Sequence, residues 1–241
     1  MCTAKQLANI KEHIDTDFSY TTRRGYRHRV NIYHQRGNTA IAIRLLRNDI
    51  PTLEDLDLPP ILADFVMRPR GLILITGPTG SGKSTTLAAM IDYVNVNRSA
   101  HIITIEDPIE YVHEHKRCMI NQREVGDDVE NFAMALRAAL REDPDVILVG
   151  EMRDFETINA AVTAAETGHL VMSTLHTTSA SDTINRIIDV FPAHQQGQIR
   201  TQLATVLVGI GSQTLIPKAD GSGRVAALEI LNCTDAVSAM I

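Results

Sequence analysis

Residues 71–85 of the chain read GLILITGPTGSGKST, an apolar run followed by a glycine-rich loop that closes on a lysine. The apolar run predicts a buried strand, and KSTTLAAMIDYVN predicts a helix over 83–95. A loop in this position can turn its backbone N–H groups around phosphate oxygens, and the helix N-terminus favours an anion. The residues predicted to bind a nucleotide are Gly77, Pro78, Thr79, Gly80, Ser81, Gly82, Lys83, Ser84 and Thr85.

Two side chains of this loop have predicted roles of their own. Lys83 places an ammonium within reach of β- and γ-phosphates, and Ser84 places a hydroxyl where it can ligate Mg²⁺. The loop therefore predicts ATP and Mg²⁺ as ligands.

Beyond residue 61, apolar runs alternate with helical patterns. Such strands, separated by helices, indicate an α/β fold with a parallel sheet covered on both faces. In such sheets the ligand lies at the carboxyl ends of the strands. Strands are predicted at 71–77, 101–108, 145–151 and 169–176, and helices at 83–95, 129–142 and 155–168, with Asp127 or Asp128 as a candidate N-cap.

The run DVILVGEMRD, residues 145–154, is an apolar strand that ends in an acid, Glu151. An acid at this position can hold Mg²⁺ through water or orient water near the γ-phosphate. Glu151 is thus a candidate catalytic and metal-binding residue, with capping of the next helix as the alternative.

Three acids, Glu106, Asp107 and Glu110, lie at or just past the end of the strand 101–108 in the run TIEDPIEY. A carboxylate at a strand end on the nucleotide side can accept a proton from the attacking water. The residues alone leave open which acid does so, and whether the loop is only solvated.

Two histidines bracket the run LVMSTL. His176 follows it, at the predicted carboxyl end of a strand, and can sense the γ-phosphate. His169 precedes it, so we expect it at the opposite end, where it supports structure or reaches a neighbour.

The N-terminal residues 1–47 predict a partial α+β unit, and 48–60, with three prolines, predicts a linker. Arginine can neutralise transition-state charge when an adjacent subunit supplies it. For any single arginine of this unit a solvated basic face is the better explanation, but for at least one of them we favour this function. The arginines of this unit that could do so are Arg23, Arg24, Arg27, Arg29, Arg44 and Arg47.

The composition argues against several classes of protein. A net charge of −6 disfavours sequence-independent nucleic-acid binding, and three scattered cysteines disfavour a disulfide framework or a zinc module. The sequence has neither a signal-peptide pattern nor an apolar run long enough to span a membrane. We therefore expect a cytoplasmic protein, peripheral to a membrane only through a partner.

Four segments together resemble a known family. GPTGSGKST, TIEDPIEY, DVILVGEMRD and AAETGHLVMSTLHTTSA are similar to the Walker A, aspartate, Walker B and histidine boxes of the secretion ATPase superfamily. Together with ALREDPDVILVGEMRD and RIIDVFPAHQ, they most resemble the type IV pilus retraction ATPases, the PilT family.

The resemblance implies a homohexameric ATPase that drives pilus retraction, with an inner-membrane platform protein as its partner. It implies a PAS-like domain at 1–47 and a RecA-like ATPase domain at 61–241, with the start of the first and the end of the second missing. Glu110 resembles the catalytic glutamate, and Glu151 the Walker B acid.

The remaining implied site residues are the histidine-box pair His169 and His176, and Arg29 and Arg44, which fall where arginines approach a neighbour's nucleotide. The alternatives are a pilus extension or type II secretion ATPase, a conjugation or DNA-handling RecA-like ATPase, and an accessory subunit that binds nucleotide without moving a filament. Extension and secretion ATPases usually carry a tetracysteine module, whereas SQTLIPKADGSGRVAALEIL has no cysteine in that region.

Overall fold

The computed structural model describes residues 2–46 and 49–241, so that Arg47 lies outside the described residues. The chain divides into two compact units. The small unit comprises Met1–Asp49 and Pro108–Val112, and the large unit comprises Ile50–Asp107 and His113–Ile241.

The small unit contains one helix and a three-stranded antiparallel sheet in the order β1-β2-β3. Its elements are α1 Ala4–Lys11, β1 Thr16–Thr21, β2 Arg27–Gln35 and β3 Asn38–Leu45. The sequence predicted an α+β unit here but no separate strand at TDFSYT, although Phe18 and Tyr20 alternate with polar residues in β1.

The two faces of the small sheet differ in chemistry. Phe18, Val30 and Ile32 are buried on one face, where Ile10 of α1 packs against them. Arg29 pairs directly with Arg44 across β2 and β3. Side chains alternate along a strand, so these two arginines lie on the face opposite the core.

The large unit is built on a seven-stranded sheet in the order β10-β9-β4-β8-β7-β5-β6. All neighbouring pairs are parallel except the last hairpin, β9–β10. This confirms the predicted α/β fold. The strands are β4 Gly71–Thr76, β5 His101–Glu106, β6 Met119–Glu124, β7 Val146–Val149, β8 Leu170–Leu175, β9 Leu207–Pro217 and β10 Arg224–Asn232.

Helices cover both faces of this sheet. Leu72 and Leu74 of β4 belong to one apolar core, and Ile73 and Ile75 belong to the other. Strand alternation thus fills two cores at once, as the continuous apolar runs predicted. The helices are α2 Ile61–Val66, α3 Lys83–Asn97, α4 Phe132–Ala139, α5 Phe155–Glu166, α6 Ala180–Asp189, α7 Gln196–Val206 and α8 Asp235–Ser238.

The structure corrects the N-cap predicted for the helix at 129–142. Asn131 is the N-cap of α4, and its Oδ1 accepts a hydrogen bond from Met134 N at 2.9 Å. Asp128 instead accepts one from Glu124 N at 2.8 Å, which closes the turn after β6. The side chain that reaches the free N–H groups of the first turn determines where a helix begins.

The stretch predicted as a linker, 48–60, differs from that prediction over much of its described length. Leu53 and Leu58 are buried in the core of the large unit, against Leu62 and Phe65 of α2. Apolar side chains between prolines are drawn into a core when one lies within reach. The domain boundaries themselves remain predictions.

None of the helices in the described parts of the chain combines the length and the apolar character needed to cross a membrane.

Candidate active site

The glycine-rich loop connects β4 to α3 at the carboxyl edge of the large sheet. Thr76 ends β4, and Lys83 is the first residue of α3. Gly77 and Gly82 have φ values of 138° and 89°, which residues with a side chain rarely adopt. The loop therefore brings the N-terminus of a 15-residue helix to the strand ends.

Lys83 bridges the start of the loop. Its Nζ donates to Gly77 O at 2.8 Å and to Pro78 O at 3.0 Å, and the residue is only 9% exposed. Ser81 Oγ is buried and has no hydrogen-bond partner among the described residues. The loop thus holds a cation at the N-terminus of α3, and both the ammonium and the helix N-terminus favour an anionic ligand.

The parallel register brings the predicted acid and the second histidine to the same edge. Glu151 follows β7 and His176 follows β8, the strand next to β4. His176 Nε2 lies 3.7 Å from Glu151 Oε2, and Arg153 forms an ion pair with the same oxygen at 2.8 Å. Glu151 and His176 thus lie near each other, and Arg153 pairs with Glu151 beside them.

His169 lies at the opposite edge of the sheet, before β8 begins. Its Nδ1 donates to Ala164 O at 2.9 Å, and its carbonyl accepts from Gly71 N at 3.1 Å. The first contact joins the end of α5 to the residue before β8, and the second joins that residue to the start of β4. Within its own chain, His169 therefore supports the fold rather than the phosphate loop.

The acids at the end of β5 and in the loop that follows it have different surroundings. Glu106 Oε1 accepts from Thr104 Oγ1 at 2.7 Å and from Gln122 Nε2 at 3.1 Å. Gln122 Oε1 also accepts from His113 N at 2.8 Å. Glu106 and Gln122 thus tie together the two ends of the loop 107–112, so that the Glu106 carboxylate is engaged in holding structure.

Glu110 belongs to Pro108–Val112, the segment that groups with the small unit. Arg27 holds this segment, because one of its guanidinium nitrogens donates to Ile109 O at 2.7 Å. Sequence reasoning placed Arg27 only among arginines that could reach a neighbour. Its contact instead lies beside Glu110 in the same chain.

Arg29 and Arg44 face one another on adjacent strands of the small unit. Like charges directly across a sheet repel, and Asp17 compensates only in part, with its carboxylate 3.7 Å from Arg29 Nε. Both arginines therefore present positive charge that an anion can stabilise.

Sequence reasoning missed Gln213, which lies in β9 below the phosphate loop and is 2% exposed. Its side chain contacts Ser81 and Thr86. The available signal was the polar pair Ser212–Gln213 inside the otherwise apolar run LVGIGSQTLIP, since polar groups are buried where they are hydrogen-bonded.

Comparison with known proteins agrees with this geometry. The family model described as Type II/IV secretion system protein matches residues 14–239. The type IV pilus retraction ATPase PilT of Pseudomonas aeruginosa is 53% identical over 237 residues, which are 98% of this chain and 69% of that protein. A twitching motility protein of Neisseria gonorrhoeae is 52% identical over 231 residues, 96% of this chain and 62% of that protein.

A solved structure of the pilus retraction motor PilT with bound ADP superposes with a TM-score of 0.95 at 55% identity. The match covers 99% of this chain and 69% of that one. The chain thus spans between 62% and 69% of the length of these relatives. On these matches, the chain belongs to the Type II/IV secretion system protein family and, within it, to the family of the pilus retraction ATPase PilT.

Proposed function

We propose that the protein hydrolyses ATP to drive retraction of a type IV pilus. The observation that carries this proposal is the likeness, over nearly the whole chain, to a retraction ATPase and to a pilus retraction motor with bound ADP. The gathering of Lys83, Glu151 and His176 at one edge of the sheet supports it independently.

ATP binds at the loop 77–85, with its phosphates over the N-terminus of α3. The ammonium of Lys83 turns from the carbonyls of Gly77 and Pro78 to the β- and γ-phosphates, exchanging neutral acceptors for charged ones. His176, next to the strand that carries the loop, contacts the γ-phosphate and reports its loss.

Mg²⁺ fits the side chains at this edge. The exposed Ser84 hydroxyl and the Glu151 carboxylate are oxygen ligands of the kind that Mg²⁺ prefers. Glu151 follows β7, two strands from β4, which is about 10 Å at the usual strand spacing. Glu151 would therefore act on the metal or on the attacking water through a bridging water, and Mg²⁺, when bound, would supply positive charge opposite the phosphates.

Glu110 is the proposed general base, which accepts the proton of the attacking water. The engagement of Glu106 with Thr104 and Gln122 disfavours Glu106 as the base. Between the other two acids, the resemblance of TIEDPIEY to the aspartate box favours Glu110 over Asp107. Because Arg27 holds Ile109, movement of the small unit would also move Glu110.

Assembly into a homohexamer completes this site. Arg29 and Arg44 of one copy stabilise the transition state on the nucleotide of its neighbour, which resolves the repulsion between the paired guanidinium groups. His169, remote from the loop of its own chain, contributes through the fold or through such an interface. The force acts on a platform protein of the inner membrane, at which the cytoplasmic motor assembles.

The region that distinguishes extension and secretion ATPases favours retraction. Residues 207–232 form the antiparallel hairpin β9–β10 and contain no cysteine for a zinc module.

The test is a Lys83→Ala allele in a bacterium that carries this gene, with surface pili imaged in living cells. A retraction motor predicts pili that extend, persist and do not shorten. Loss of pili would assign the protein to extension, and normal retraction would reject the proposal. A Lys116→Ala allele is the control, because Lys116 pairs with Asp92 and lies outside the proposed site.

A further inference from the structure

The side-chain amide of Gln213 is buried, and both its oxygen and its nitrogen form hydrogen bonds. Its Oε1 accepts from Thr86 Oγ1 at 2.8 Å, and its Nε2 donates to Ser81 O at 2.6 Å. Because a carbonyl can only accept, the contact with Ser81 determines which end of the amide faces the loop. Gln213 thus connects β9 to both the phosphate loop and the first turns of α3.

The glycines at the two ends of the loop also lie against this residue. A Cβ at Gly77 would collide with the backbone oxygen of Gln213, and a Cβ at Gly82 would lie 2.8 Å from its Nε2. Both positions therefore need glycine for close approach to Gln213 as well as for their positive φ values.

The contact with Ser81 determines where the next N–H points. The peptide unit is planar and trans, so the N–H of Gly82 points opposite to the carbonyl of Ser81. Since that carbonyl is directed at Gln213, the Gly82 N–H is directed away from β9. This is the direction in which a phosphate held by the loop would meet it.

We propose that Gln213 is a positioning residue for nucleotide binding, which holds the Ser81–Gly82 peptide with its N–H turned toward the phosphates. The proposal rests on the proposed function only in that the loop binds a nucleotide. Gln213 itself does not contact the nucleotide, and its effect passes through the loop backbone.

A positioning role and a merely structural role for Gln213 predict different outcomes. A second substitution, at Thr86, distinguishes them. Gln213→Leu leaves both the Thr86 hydroxyl and the Ser81 carbonyl without their partner. Adding Thr86→Val removes the hydroxyl, so the double variant should regain the part of the stability that was lost at Thr86, because replacing both partners by apolar groups can be nearly neutral. The Ser81–Gly82 peptide stays unheld in the double variant.

The experiment measures the dissociation constant for ADP and the free energy of unfolding in wild type, Thr86→Val, Gln213→Leu and the double variant. We expect ADP to bind about tenfold more weakly to both proteins with Leu at 213, and at most about threefold more weakly to Thr86→Val. The double variant should regain stability without regaining affinity. Recovery of affinity together with stability, or a Gln213→Leu affinity within about twofold of wild type, overturns the proposal.

If the leucine variants do not fold, Gln213→Glu provides a second test of the proposal. Its carboxylate still accepts from Thr86 but turns a second oxygen toward the Ser81 carbonyl, which repels it. Protonation restores a donor, so the ADP affinity relative to wild type should rise as pH falls. A ratio that is independent of pH contradicts the proposal. Wild-type protein that fails to bind ADP would instead overturn the proposed function, on which this inference rests.

Discussion

Replacing Lys83 by alanine should separate nucleotide binding from stability. Lys83 donates to two carbonyls at 2.8 and 3.0 Å. Hydrogen bonds from a charged donor contribute about 1.5–3 kcal/mol each. The desolvation of a 9% exposed lysine opposes this gain. The free energy of unfolding should therefore change by no more than about 1 kcal/mol.

Binding should change far more than stability. When ADP is present, the ammonium faces a phosphate, and the loss of one charge-assisted bond of about 1.5–3 kcal/mol raises the dissociation constant about 10- to 100-fold. Fluorescence titration with an ADP analogue measures this constant, and urea unfolding measures stability. Lys116→Ala, which removes an ion pair with Asp92 elsewhere on the large unit, is the matched control. A Lys83→Ala dissociation constant within about threefold of wild type would refute the assignment of the loop.

Three further changes have defined outcomes. Glu110→Gln should keep ADP affinity and lower the rate of phosphate release from ATP by about 10²–10⁴, and a rate within a few-fold of wild type would move the general base to another acid. Burial lowers the pKa of His113 to about 4 from its ordinary 6.5, so the unfolded chain binds the proton more tightly between these values. The free energy of unfolding should then fall by up to about 3 kcal/mol as the pH drops through that window, and in His113→Leu this part of the loss should vanish from urea curves. Arg27→Lys should keep the fold of the small unit but slow phosphate release more than it weakens ADP binding, since it weakens the hold on Ile109 beside Glu110; equal effects on both would deny that hold a role in catalysis.

The large unit could be predicted because its strands are buried on both faces. An apolar run such as GLILIT predicts a buried strand by itself, because the side chains on both of its faces enter a core. The strand β6, with the sequence MINQRE, was missed for the converse reason. It lies at the sheet edge beside β5, and four of its six residues are polar or charged.

The site could be predicted where it depends on which residues follow the parallel strands. Glu151 and His176 lie at the same edge as the loop because β7, β8 and β4 are parallel neighbours. Contacts that depend on tertiary packing could not be read in this way. Gln213 and Ser81 are 132 residues apart, and Arg27 and Ile109 are 82 residues apart. No periodicity or motif spacing relates such pairs.

The most direct test of the account is phosphate release by a mixture of two inactive proteins. One carries Arg29→Ala and Arg44→Ala, and the other carries Glu110→Gln. If arginines of one copy complete the site of its neighbour, random assembly of equal amounts restores about one quarter of the interfaces. The account predicts that activity returns to a similar fraction of wild type. Mixtures that co-assemble but remain inactive would contradict it.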